Sequence, residues 1–187
     1  MAPVVASSPR LTLQVFSVPD HFEAYYELEM DPEVTKWSSN PPFKDKEEVL
    51  QKLNNRRPTP EKPWSQTWAI CLKPEDPDVD EGSGKFVGAI GLPREIDVGY
   101  RISRAYWGKG FMTEALVMFV DMFWKLDDYA KYNRISAHAD SENGASMRVM
   151  EKAGFKKGEY KKAFYERGAV PGVKLDLQEF YIERPTS

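Results

Sequence analysis

Alternating apolar and polar positions predict a chain built on seven β-strands. Such alternation places every second side chain on one face of a half-buried strand. The segments with this pattern, or with a short apolar run of strand length, are 11–15, 68–72, 86–92, 98–102 and 135–139, and two more strands are predicted near 155–163 and 175–182. Residues 1–9 have neither feature, so we predict a flexible N-terminal tail there and a single domain over residues 10–184.

Four helices are predicted between these strands. They lie at 20–30 with Asp20 as the cap, at 45–56, from the turn at 107–112 through 126, and at 141–152 with Ser141 as the cap. The third is almost wholly apolar, which predicts a buried helix. Strands that begin as a hairpin run and then alternate with two helices predict an α/β (α+β) fold. We expect a mixed, mostly antiparallel central sheet of about seven strands, flanked by helices.

Charge and composition narrow the function. The 187 residues carry 26 Lys and Arg against 29 Asp and Glu, a net charge of −3. Proteins that bind nucleic acids mainly through phosphates carry a strong positive excess, so no direct nucleic-acid partner is expected. The longest apolar stretch, Ala115–Val120, is far short of the roughly 18 residues of a membrane span. We therefore expect no membrane association and a cytoplasmic or nuclear protein.

Cysteine and histidine are too few for several kinds of site. Cys71 is the only cysteine, so no internal disulfide and no Cys-x-x-Cys pair can form. Its apolar neighbours predict a core residue rather than a nucleophile. His21 and His138 are the only histidines. We predict no metal site, and a lone histidine such as His138 is more often structural than catalytic.

Two glycine-rich stretches are candidates for phosphate binding. Residues 82–85 resemble part of a P-loop, but Val79 stands where its first glycine should be and Phe86 replaces the Ser/Thr. The acidic loop at 75–81 would also repel phosphates, and we predict a solvated turn. A second use of this acidic loop, attracting a cationic substrate over long range, stays open.

The second stretch, residues 107–114, lies between an alternating strand and the buried helix. Gly108 and Gly110 allow a tight bend, and the first amides of a helix are free to bind an anion. The turn therefore predicts a pyrophosphate cradle. Thr113 stands where the third glycine of a dinucleotide-binding G-x-G-x-x-G would be, which argues against a Rossmann site.

A further motif, residues 143–155, follows the short strand that contains His138. The strand, the Gly-x-Gly turn, the buried helix, the next strand, the Asn-x-x-Ser helix and Gly154-Phe155 together resemble the GNAT superfamily of N-acetyltransferases. The resemblance covers residues 86–182 and is greatest to the branch of ribosomal-protein N-terminal acetyltransferases (RimJ/RimL-like). It implies the GNAT fold, with acetyl-CoA as cosubstrate and no metal.

The resemblance also implies the cofactor site. Trp107 through Met112 match the pyrophosphate loop, and Gly110 matches its invariant glycine, although Trp107 and Met112 depart from the usual residue types. The strand end before the loop matches the segment that pairs with the pantetheine arm, and Asn143 matches an asparagine that contacts that arm. The implied cofactor-binding residues are Ile102, Ser103, Trp107, Gly108, Lys109, Gly110, Phe111, Met112, Thr113 and Asn143.

Acetyl transfer to an amine needs a base for the amine and an acid for the departing thiolate. Asp97 occupies the position of the strand carboxylate that serves as base in many relatives, with Glu95 in reserve. Both also fit exposed acids at a strand end. Met150 stands where many relatives have an acidic tyrosine, so Ser146 is the predicted acid, with Tyr160 and Tyr165 as alternatives.

The resemblance implies direct transfer of acetyl to a primary amine, on either a protein N-terminus or a small molecule. Sequence alone does not choose between these acceptors. The rival hypothesis is a non-catalytic acyl-CoA-binding or interaction module of the same fold, which Met150 supports. We expect a monomer or a homodimer, since the aromatic helix residues at 119, 123 and 124 suit either a core or a dimer face.

Overall fold

An eight-stranded mixed sheet forms the centre of the computed structural model, which describes residues 1–75 and 80–186. The strands are β1 Val4–Ser7, β2 Leu11–Val15, β3 Thr67–Leu72, β4 Lys85–Arg94, β5 Asp97–Ile102, β6 Arg134–Asp140, β7 Lys156–Tyr165 and β8 Leu175–Glu183. Their order is β1-β2-β3-β4-β5-β6-β8-β7. Neighbouring strands are antiparallel except β5 and β6, which are parallel. The predicted fold class is therefore confirmed, with eight strands instead of about seven. Most of the acidic loop predicted at 75–81 lies outside the described residues.

A strand, β1, lies within residues 1–9, where the sequence predicted a flexible tail. Residues 4–7 form β1, which pairs with β2 so that Ala6 lies opposite Leu13. Val4 and Val5 are both exposed. The strand is thus held mainly by backbone hydrogen bonds, and no burial pattern marks it in the sequence.

Helices cover both faces of the sheet. They are α1 Val18–Met30, α2 Pro32–Thr35, α3 Lys46–Asn54, α4 Phe111–Lys125 and α5 Gly144–Lys152. The apolar helix α4 is buried as predicted, with Phe119 and Phe123 fully enclosed in a core shared with α5 and the sheet. On the other face, α1 and α3 close a smaller core around Tyr25 and Val49. No helix of the described residues has the length and apolarity that a membrane span requires.

Two predicted helix caps are wrong. Ser17, not Asp20, precedes α1, and Asp20 lies in its first turn. Asn143, not Ser141, caps α5, because its side-chain oxygen accepts a hydrogen bond from the Ser146 amide. Proline at 32 ends α1 yet opens the short α2, because the first helical position needs no amide donor.

Candidate functional site

The two parallel strands at the middle of the sheet separate and leave an opening. Their pairing covers Asp97 opposite Ser136 and Val98 opposite Ala137. Beyond Val98, β5 continues to Ile102 and β6 to Asp140. The C-terminal halves of the two strands therefore enclose a wedge-shaped space.

Backbone groups of β5 face this opening. The Ser103 amide donates to the Val87 carbonyl at 2.9 Å, and Gly88 lies opposite Ile102. Bonded and non-bonded pairs alternate along an antiparallel ladder, so the backbone groups of Tyr100 and Ile102 point away from β4 and into the opening. An extended ligand can pair with this edge as an added strand would. Ser103, in contrast, already uses its amide within the sheet.

The predicted cradle lies directly after β5. Gly108 and Gly110 have φ angles of 72° and 78°, in the left-handed region that glycine adopts readily. Gly110 is the N-cap of α4 and, because glycine has no side chain, does not itself cap the helix amides. The free amides at the start of α4 therefore remain available for an anion. The predicted residues Lys109, Phe111, Met112 and Thr113 lie in this same turn and first helical turn.

Trp107 connects the cradle to the strand. Its side chain is 45% exposed, and its indole nitrogen donates to the Ile102 carbonyl at 2.9 Å. The bulky residue that departs from the family pattern thus folds back on the strand end. It occupies one of the backbone acceptors at the mouth of the opening.

Two hydroxyl groups meet between β5 and α5. The Tyr100 hydroxyl lies 2.9 Å from Ser146 Oγ and donates to the Ser146 carbonyl at 3.2 Å. Burial raises the pKa of Tyr100, although the hydrogen bond with Ser146 opposes this. Ser146 is held in the first turn of α5 by the Asn143 cap. Sequence reasoning missed Tyr100, which gave only the signal of an apolar strand position.

Asp97 and Glu95 occupy different environments. The Asp97 carboxylate is buried, lies 3.0 Å from His138 Nδ1 and accepts a 2.6 Å hydrogen bond from Arg94 Nε. Glu95 is exposed and accepts a hydrogen bond from the Tyr132 hydroxyl at 2.6 Å. The picture of an exposed acid at a strand end therefore fits Glu95 but not Asp97. His138, which the sequence predicted to be structural, is the hydrogen-bond partner of Asp97.

The remaining predicted acids lie elsewhere. Tyr160 donates its hydroxyl to Asp176 at 2.7 Å, and Tyr165 donates to Asp140. Both tyrosines belong to β7, on the far side of β8 from β6. Met150 is fully buried in the main core. The Met150 side chain is therefore a core residue, and the phenol near this part of α5 is that of Tyr100, on β5.

A buried ionic cluster holds β5 against α1 and α3, on the face of the sheet opposite α4 and α5. Glu29 of α1 binds Lys52 of α3 at 2.7 Å and also pairs with Arg101 of β5. Burial alone would raise the pKa of Glu29, but the charges of Arg101 and Lys52 outweigh it and hold this pKa at about 2. Burial and Arg101 lower the pKa of Lys52 to about 7, against the attraction of Glu29. The Glu29 carboxylate therefore stays ionised while buried.

These positions are compatible with acetyl-CoA. The open edge of β5 suits an extended amide-bearing arm, and the cradle suits a pyrophosphate. In residues 1–75 and 80–186, no group of three or more His, Cys, Asp or Glu side chains is placed to hold a metal ion.

Comparisons with known proteins identify the family of this chain. Residues 10–156 match the acetyltransferase (GNAT) domain family. An uncharacterised N-acetyltransferase, p20, of Bacillus licheniformis is 27% identical over 155 residues, which are 79% of this chain and 80% of that protein.

Solved structures share the fold. One is a Salmonella typhimurium acetyltransferase that modifies the N-terminal serine of a 50S ribosomal subunit protein, with a TM-score of 0.78, 14% identity, and 98% and 100% of the two chains covered. Another is spermidine N-acetyltransferase from Vibrio cholerae with CoA and spermine, with a TM-score of 0.72, 16% identity, and 94% and 96% covered. The predicted resemblance is confirmed: the chain belongs to the GNAT family of acetyltransferases, and acetyl-CoA is its acetyl donor.

Proposed function

We propose that this protein transfers acetyl from acetyl-CoA directly to a primary amine, at the opening between β5 and β6. The observation that carries the proposal is the position of the Tyr100–Ser146 hydroxyl pair beside an open strand edge that leads to the glycine cradle. Acetyl-CoA supplies an activated thioester. A covalent enzyme intermediate is unnecessary, and Cys71 is unsuited to form one, because burial raises the pKa of its thiol to about 12.

The two faces of β5 suit the two proton transfers. Arg101 contacts α1 and Tyr100 contacts α5, so successive side chains point to opposite faces of the sheet. Asp97 shares the face of Arg101. We place the amine on that face, where Asp97 takes its proton directly or through water, with His138 as the partner that orients the carboxylate. Glu95 remains the reserve base.

The hydroxyl pair is then placed to protonate the leaving thiolate. Ser146 gives its proton to the sulfur while Tyr100 holds the serine hydroxyl in place, and water returns a proton to Ser146 after CoA leaves. This arrangement replaces the tyrosine that Met150 has displaced from α5.

Removing either hydroxyl should lower turnover. We expect Ser146→Ala to reduce kcat by about 10²-fold, the lower end of the effect of a general acid, with little change in KM for acetyl-CoA. Tyr100→Phe should give a smaller loss, and the double variant should be no slower than Ser146→Ala, because the two groups act as a unit. Steady-state kinetics check this, with Ser141→Ala as a matched control. Losses that multiply in the double variant would contradict the paired role.

The acceptor class is the finer part of the proposal. The structural neighbours act on a protein N-terminal serine and on spermidine. We propose an amine acceptor of one of these two kinds, a peptide N-terminus or a small amine.

The deciding assay measures release of CoA from acetyl-CoA with a panel of peptides and small amines, with product masses recorded. A product about 42 Da heavier than one acceptor, the gain when acetyl replaces a proton, establishes N-acetylation and identifies the acceptor class. CoA binding without any acetylated product would favour the rival acyl-CoA-binding module.

A further inference from the structure

Arg10 reaches from the N-terminal segment to the cradle, about a hundred residues later in the chain. It immediately precedes β2, and its guanidinium lies 4.3 Å from the centre of the Phe111 ring at the start of α4. Arg10 Nη1 donates to the Lys109 carbonyl at 3.1 Å. Nη2 also lies 3.6 Å from the position that a β-carbon on Gly110 would take. The side chain therefore contacts Lys109 and Phe111 and lies beside Gly110 between them.

The same guanidinium binds the first turn of α4. Arg10 Nε and Nη2 lie 2.7 and 2.6 Å from Glu114 Oε2. The other oxygen, Oε1, accepts hydrogen bonds from the Arg10 amide at 3.0 Å and from Ser8 Oγ at 2.8 Å. A planar fork with two bonds to one carboxylate orients both partners more strictly than a lysine can. The segment at residues 8–10 thus fixes the loop and the helix relative to each other.

Electrostatics give the pair a second effect. Burial opposes ionisation of Glu114, but the hydrogen bonds from Ser8 and Arg10 outweigh it and lower its pKa. An ionised carboxylate in the first turn lies near the amides that would hold a pyrophosphate, and like charges repel. The positive charge of Arg10 offsets that repulsion.

We propose that Arg10 is a positioning residue for the cofactor cradle, which holds the 108–110 turn in its binding conformation and neutralises Glu114. The inference rests on the proposed function of the cradle as the CoA site. It assigns to the N-terminal segment a contribution that the glycine-turn motif does not contain.

The test is a double-mutant cycle on CoA binding, measured by calorimetry on the full chain. We expect Arg10→Met to weaken CoA binding by about 10-fold or more, through the freed turn and the unmasked carboxylate. Glu114→Gln should weaken it less. The double variant should bind CoA better than Arg10→Met, because the unpaired carboxylate is gone. Added salt should reduce the defect of Arg10→Met, since salt screens that repulsion.

Further variants separate positioning from folding. Arg10→Lys keeps the charge but not the fork, and should bind CoA with intermediate affinity. Arg57→Met, at an exposed arginine three residues after the end of α3, changes the net charge equally and should bind CoA normally. The amine KM at saturating acetyl-CoA should stay unchanged in Arg10→Lys.

The outcomes are distinguishable. If wild-type protein binds CoA, and both Arg10→Met and Arg10→Lys bind it as tightly as the wild type, the positioning role is overturned while the proposed function stands. If wild-type protein does not bind CoA, the cofactor site itself fails, and this inference fails with it. If the double variant binds no better than Arg10→Met, the electrostatic part is wrong.

Discussion

Asp97→Asn is expected to lower kcat by about 10²- to 10⁴-fold, the range of a lost general base. The asparagine preserves the shape of the side chain and still accepts a hydrogen bond from Arg94 or His138, but it cannot take the proton whose removal makes the substrate amine nucleophilic. The effect should appear in kcat at saturating acetyl-CoA, because Asp97 lies on the face of β5 opposite Tyr100 and away from the cradle.

Steady-state kinetics at saturating acetyl-CoA check this expectation. Asp121→Asn, the same substitution on the exposed side of α4, should leave kcat unchanged. Thermal unfolding of both variants shows whether a loss of rate comes from unfolding. If the folded Asp97→Asn protein kept the wild-type kcat, Asp97 would not be the base. Glu95 would then be the first alternative to test.

Glu29→Met is expected to reduce the free energy of unfolding by about 3–5 kcal/mol, the usual result when one partner of a buried ion pair is removed. Its side chain is 1% exposed and pairs with both Lys52 and Arg101. Without the carboxylate, Arg101 and Lys52 lose the charged hydrogen-bond partner that compensates their burial. Urea unfolding at neutral pH measures the difference.

Two comparisons sharpen this test. Glu23 also pairs with a lysine, but its side chain is 74% exposed, so Glu23→Met should change stability by only about 1 kcal/mol or less.

The pH dependence of stability provides a second readout. Because the pKa of Glu29 is about 2 in the folded protein and 4.5 in the reference state, its contribution is present above about pH 4.5 and is lost as the pH falls toward 2. Glu29→Met should lack this pH-dependent contribution to stability. Equal losses of unfolding free energy in Glu29→Met and Glu23→Met would show that the cluster does not stabilise the fold.

Local patterns in the sequence were enough to predict much of the sheet and the cradle. Alternation or a short apolar run identified β2 through β6, which all contain buried side chains, whereas the side chains of β7 are exposed or half-buried. The turn at 107–112 was predictable because the glycines and the apolar helix that form it are contiguous. The edge strand β1 was not predictable from local patterns, because its side chains are largely exposed and it is held by pairing with β2.

By itself, the sequence determined the family, the strands from β2 onward and the glycine turn, since each depends on residues close together in the chain. Only the tertiary structure decided which side chains meet. Asp97 and His138 are 41 residues apart, Tyr100 and Ser146 are 46 apart, and Arg10 and Glu114 are 104 apart. Strand order and helix packing bring these pairs together, and no periodicity within one element encodes them. The proposed base, acid and cradle support each come from such a distant pair.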